Sequence, residues 1–76
     1  MAQLDRITFD PNRMGGKPCI RGLRVTVGTI VGLVASGATS AEIMADYPYL
    51  EAEDISAALS YAAWRVEEIE VPIPAA

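Results

Sequence analysis

The segment from Met14 to Val27 constrains the fold of this 76-residue chain more than any other part of its sequence. Its fourteen positions hold three glycines, one proline and three of the chain's six cationic residues, whereas the sequence after it is largely apolar, acidic and typical of helices. Glycine permits positive φ angles, and Pro18 fixes its own φ and favours an extended conformation for Lys17. We therefore predict a two- or three-stranded ribbon over residues 7–27, with sharp turns between short extended pieces.

The Val-rich stretch after the ribbon predicts a first helix over residues 27–36. Its apolar side chains recur at the i, i+3, i+4, i+7 spacing of one helix face: Val27, Ile30, Val31 and Val34. Gly37 follows and suits the position just past a helix end, since glycine adopts positive φ without steric conflict. A buried β-strand is the alternative, because a short apolar run fits both structures.

Capping signals and spacing predict two further helices. Thr39 and Glu42 form a capping box, which opens a second helix over residues 40–47. The third helix, residues 52–68, carries a core stripe at 3.6-residue spacing: Ile55, Ala58, Leu59, Ala62, Val66 and Ile69. A second stripe lies on the other side of this helix: Ala57, Tyr61 and Trp64. One small domain cannot easily cover both, so we predict that the ribbon, a second copy of the chain or a partner protein packs on the second stripe.

Together these elements predict a mainly α fold in one domain, residues 1–70, followed by an extended tail, residues 71–76. Three consecutive helices, the last two joined by a brief link, are the elements of a helix-turn-helix domain. A chain of this length has a small core, which favours a homodimer or a permanent complex.

The residue types present exclude most catalytic chemistry. There is no histidine and only one cysteine, Cys19, so neither a Ser-His-Asp triad, a Cys-His pair nor a usual zinc site can form. We therefore expect a protein that is not an enzyme and that binds no metal and no cofactor. No apolar run approaches the ~20 residues of a membrane span, and the first residues lack a secretory pattern, so we expect a cytoplasmic location without membrane binding.

Charge is divided unevenly along the chain. Residues 1–24 hold five cations against two acids, a net of +3, while residues 25–76 hold one cation against eight acids, a net of −7. We expect Lys17, Arg21 and Arg24 to contact the phosphates of DNA, doubled by a two-fold dimer. The third helix is a poor DNA reader because its amino-terminal end is acidic. The alternatives are an arginine held in the acidic pocket of a protein partner, or an ordinary solvated surface.

Several motifs resemble the family called domain of unknown function 433: Gly15-Gly16-Lys17-Pro18-Cys19-Ile20-Arg21-Gly22, Tyr47-Pro48-x-Leu50 and Glu53-Asp54-Ile55-x-Ala57-Ala58. The resemblance covers roughly residues 7–66 and implies a homeodomain-like helix-turn-helix. It also implies a VapB-like antitoxin that neutralises a PIN-like nuclease toxin and represses its own operon by binding operator DNA. Family members often carry Thr or Ser where this chain has Glu51, which predicts a weaker cap on the third helix. The alternative is a protein-interaction module with no nucleic-acid role.

Overall fold

The computed structural model describes residues 4–68, and the predicted tail at residues 71–76 lies outside this range. Two strands and three helices follow one another: β1 (Ile7–Thr8), β2 (Cys19–Ile20), α1 (Val27–Ala35), α2 (Ser40–Asp46) and α3 (Ala52–Glu68). The predicted mainly helical fold with a short amino-terminal ribbon is confirmed. No helix within the described range is long and apolar enough to cross a membrane.

The ribbon is an antiparallel pair in which Ile7 lies opposite Ile20 and Thr8 lies opposite Cys19. After β2 the chain reverses, and the Ile20 N–H donates to the carbonyl oxygen of Val25 at 3.0 Å. The reversal needs positive φ at Arg21 (44°) and Gly22 (71°). A left-handed conformation is unfavourable for a residue with a Cβ atom, so the contacts of the Arg21 side chain must offset it.

The helix ends follow local capping chemistry. The Thr26 hydroxyl accepts from the Thr29 N–H at 3.1 Å and begins α1, which is a helix and not the alternative strand. The predicted capping box of α2 is confirmed: the Glu42 N–H donates to the Thr39 hydroxyl at 3.1 Å, and the Thr39 N–H donates to the Glu42 carboxylate at 2.8 Å.

The core forms where the ribbon, α1 and α3 meet, and α2 closes it. Its buried members come from every element: Ile7, Ile20, Val25, Val27, Ile30, Ile43, Leu50, Ile55, Ala57 and Ala58. Burial of the last two places Ala57 and Ala58 on the core-facing side of α3.

The predicted stripes of α3 are therefore corrected. Ala57, assigned to the outer stripe, is fully buried, while Leu59 and Val66, assigned to the core, are 38% and 72% exposed. Rotation of α3 explains the first two, because Ala57 and Leu59 lie on nearly opposite sides of the helix. Length explains Val66: α3 has 17 residues and spans about 25 Å, whereas α1 has nine and α2 has seven. Tyr61 and Ala62 are half-buried and still pack against the core, whereas residues 63–67 are all exposed, so the last part of the described helix projects beyond the core.

Candidate partner-binding groove

The position of the ribbon is fixed by one buried carboxylate, that of Asp54 in the first turn of α3. Its Oδ1 accepts from Arg6 Nη1 at 2.8 Å and from Arg21 Nε at 3.0 Å. Its Oδ2 accepts from Arg21 Nη2 and from the Glu51 N–H, both at 2.8 Å. We call Arg6, Arg21, Glu51 and Asp54 the Asp54 cluster. Arg6 precedes β1 and Arg21 follows β2, so the two lie side by side at one end of the ribbon, and the cluster joins that end to the amino terminus of α3.

Hydrogen bonds within the cluster keep the buried Asp54 carboxyl ionised. Burial raises the pKa of the Asp54 carboxyl, but hydrogen bonds from Arg21, the Glu51 N–H and Arg6 together outweigh burial and hold this pKa at about 2. The hydrogen bond to Asp54 also raises the pKa of Arg21. Since the folded pKa of Asp54 lies below its unfolded value of about 3.9, the ionised carboxyl stabilises the fold above that pH. This contribution is lost as the pH falls towards about 2.

The cluster also contributes to the amino-terminal cap of α3, for which Glu51 predicted a weaker cap. Glu51 occupies the cap position, and its carboxylate pairs with Arg6 at 2.7 Å. The backbone N–H of Glu51 is taken by Asp54, which forms one half of a capping box.

The three cations predicted to contact DNA do not form one group. Arg21 turns its guanidinium to Asp54 and to the carbonyl oxygen of Tyr49, 2.9 Å away, so it belongs to the cluster. Lys17 and Arg24 are exposed, and neither forms an ion pair within residues 4–68. Lys17 lies at an open depression of about 530 Å³ beside the amino end of α1, with Pro18, Thr26, Gly28 and Thr29.

A groove of about 340 Å³ lies on the opposite side of α3 from the exposed Leu59 and Val66. We call it the aromatic groove, and five residues line it: Ile7, Phe9, Tyr61, Trp64 and Arg65. Its rings form a row, with centroids 5.9 Å apart between Phe9 and Tyr61 and 6.0 Å apart between Tyr61 and Trp64. Phe9 remains 59% exposed and Trp64 37% exposed.

Of the predicted interface residues, Tyr61 and Trp64 lie in this groove, and Ala57 lies in the core. The ribbon covers part of the predicted stripe, since Phe9 packs on Tyr61. Sequence reasoning missed Phe9 and Arg65. Phe9 could have been found, because Ile7 and Phe9 are two apart in an extended segment and therefore lie on one face.

Comparison with known proteins places this geometry in a family. Residues 7–62 match the family model described as a protein of unknown function (DUF433). The uncharacterized protein y4eO of Sinorhizobium fredii is 38% identical over 56 residues, which are 74% of this chain and 25% of that protein. The crystal structure of a DUF433 member from Anabaena variabilis is 40% identical with a TM-score of 0.77, and the match covers 83% of this chain and 62% of that one. The chain thus spans a quarter of one relative and less than two thirds of the other.

Proposed function

The chain belongs to the DUF433 family, and we propose that it is the cytoplasmic antitoxin of a type II toxin–antitoxin pair, which neutralises a PIN-like nuclease toxin by direct binding and represses its own operon. The observation that carries the proposal is the aromatic groove. Its three aromatic side chains, Phe9, Tyr61 and Trp64, are large, partly exposed and stacked in a row, and none of them is among the buried residues of the core.

The groove has the composition of a protein-binding site. Trp, Tyr and Arg are the residue types that dominate binding energy at protein interfaces, and Tyr61, Trp64 and Arg65 follow closely on one helix. Phe9 completes the row from the ribbon, which the Asp54 cluster holds in place. A partner that covers Trp64 would gain about 25 cal/mol of binding free energy for each Å² of apolar surface that it buries.

The test is rescue from toxicity by co-expression with the PIN-like nuclease that this proposal expects to be encoded next to the gene. We expect wild-type chain to restore growth and to co-purify with the nuclease, and we expect Trp64→Ala to weaken binding about 30-fold, because truncation of a central aromatic removes about 2 kcal/mol. Binding is measured by titration calorimetry with a catalytically inactive nuclease.

Val66→Ala is the matched control, since Val66 is 72% exposed on the same helix but outside the aromatic groove. It should bind like wild type. Absence of a nuclease gene beside this one, or equal binding by Trp64→Ala and wild type, would contradict the proposal.

The second part of the proposal is autorepression through DNA binding by a homodimer with homeodomain-like helix-turn-helix units. The observation that favours it is the exposure of Lys17 and Arg24 on the ribbon. Arg21 is not assigned to the DNA contact because its guanidinium donates hydrogen bonds to Asp54. The amino end of α3 keeps the exposed acids Glu51 and Glu53, which phosphates repel, so the ribbon approaches the duplex.

A gel shift with DNA from upstream of the gene tests this part. The Lys17→Ala, Arg24→Ala double variant should lose most of its DNA binding. The slope of log affinity against log salt concentration should become shallower by about two per protomer. Arg65→Ala, which removes a cation outside the ribbon, should shift DNA as wild type does. If the wild-type protein fails to bind this DNA, autorepression is contradicted, and the alternative of a protein-interaction module with no nucleic-acid role is favoured.

A further inference from the structure

We infer that the aromatic groove receives an aliphatic segment of its protein partner that carries an acidic residue, and that this carboxylate pairs with Arg65. The inference rests on the proposed toxin-binding function and specifies the chemistry of the segment that is bound. It follows from the charge of the groove, the contrast with three arginines that are engaged within the fold, and the mismatch with a second copy.

Arg65 is the only cation in residues 25–76, where eight acids surround it in the sequence. It nevertheless lines the apolar groove, and none of the side chains that the structure describes forms an ion pair or hydrogen bond with it. Three other arginines are engaged within the fold: Arg6 and Arg21 by Asp54, and Arg13 by the carbonyl oxygen of Gly22. Arg65 therefore offers its donors at the rim of an apolar surface.

A guanidinium in such a setting favours a carboxylate. Its donors form a planar fork that matches a carboxylate with two parallel hydrogen bonds, and the adjacent apolar surface reduces solvent screening of the pair. Trp64 and Tyr61 beside it supply apolar faces for aliphatic side chains. The volume of about 340 Å³ is at the lower end for ligand sites, which suits a few side chains of a peptide segment.

A second copy of the chain fits the same groove poorly. In a two-fold contact whose axis passes through the groove, each residue near the axis meets its own equivalent, and two Arg65 guanidinium groups would approach one another on an apolar surface. Like charges brought together across an interface are unfavourable and suppress that pairing. The groove therefore suits a different protein with opposite charge at this point.

Peptides tiling the neighbouring nuclease, labelled with fluorescein, test the inference by fluorescence anisotropy. We expect one acidic and aliphatic peptide to bind wild-type chain, and Arg65→Gln to weaken it about tenfold. Replacing the acidic residue of that peptide by its amide should weaken wild-type binding equally and leave Arg65→Gln binding unchanged. Val66→Ala, which truncates an exposed side chain of α3 outside the groove, is the matched control and should bind as wild type does.

Equal binding by wild type and Arg65→Gln would overturn the inference while leaving nuclease neutralisation intact, so the two proposals fail separately. If the nuclease does not bind at all, a random peptide library displayed on phage and selected on wild-type chain decides. Enriched peptides that combine aliphatic residues with Asp or Glu, and that Arg65→Gln binds less tightly, support the inference. Enrichment without an acidic residue, no enrichment, or a dimer that shields Trp64 overturns it.

Discussion

Replacing Asp54 with alanine is expected to lower the free energy of unfolding by about 3 kcal/mol at neutral pH, because it removes one partner of a buried ionic cluster. The Asp54 side chain is fully buried, and it accepts hydrogen bonds from two guanidinium groups and from the Glu51 N–H. A chain of 76 residues has a total stability of about 4–11 kcal/mol. Asp54→Ala should therefore unfold in much less urea, as measured by far-ultraviolet circular dichroism.

Glu53→Ala is the control, since Glu53 is an exposed acid in the same turn of α3. It should change the unfolding free energy by less than about 0.5 kcal/mol. The difference between wild type and Asp54→Ala should also shrink as the pH falls from about 5 towards 2, because protonation of Asp54 removes its charge in the wild type. Unfolding free energies of wild type and Asp54→Ala that differ by less than about 1 kcal/mol at neutral pH would contradict the assigned role of the cluster, since about 1 kcal/mol is what urea unfolding resolves.

Local signals were enough to predict the class of fold. The capping box at Thr39 and Glu42 defines the start of α2 within a few residues, and such a pattern acts through neighbouring backbone groups alone. Gly37 adopts φ +98° just beyond α1, as expected of a residue that follows a helix end. Features of this kind can be predicted from sequence because each depends on residues close along the chain.

The Asp54 cluster could not be predicted in the same way. Asp54 belongs to the acidic run Glu51-Ala52-Glu53-Asp54, in which every acid fits an exposed first turn favoured by the helix dipole. Which of them is buried depends on the rotation of α3 relative to the ribbon. Arg21 was grouped with Lys17 and Arg24 by proximity in sequence, but its positive φ turns the residue in a direction that the sequence does not specify.

The candidate site was predicted in part for a related reason. Apolar residues surround most of α3 between Ile55 and Val66, so periodicity alone fits more than one buried edge. Tyr61 and Trp64, predicted to share one surface, do line one groove, and Phe9 joins them because the Asp54 cluster holds the ribbon beside α3. The point where the core ends along α3 depends on the lengths of the other elements, which no pattern within α3 encodes.

Ile30→Ala and Val66→Ala together test where this core ends. Ile30 is fully buried where α1 packs on α3, so its truncation should cost about 3 kcal/mol through lost burial and a residual cavity. Val66 was assigned to the core by its spacing but is 72% exposed, so Val66→Ala should change stability by less than about 0.5 kcal/mol. Urea unfolding of both variants gives the two values on one scale.

The relative losses of stability for Ile30→Ala and Val66→Ala show which part of α3 is covered. A large loss of stability for Val66→Ala, measured without any partner protein, would mean that another surface covers this part of the helix. That surface would belong to a second copy of the chain. That loss would then depend on protein concentration, because dimer stability is linked to association. A loss confined to Ile30→Ala at all concentrations places Val66 beyond the end of the core and leaves the projecting part of α3, with Trp64 and Arg65, open to a partner.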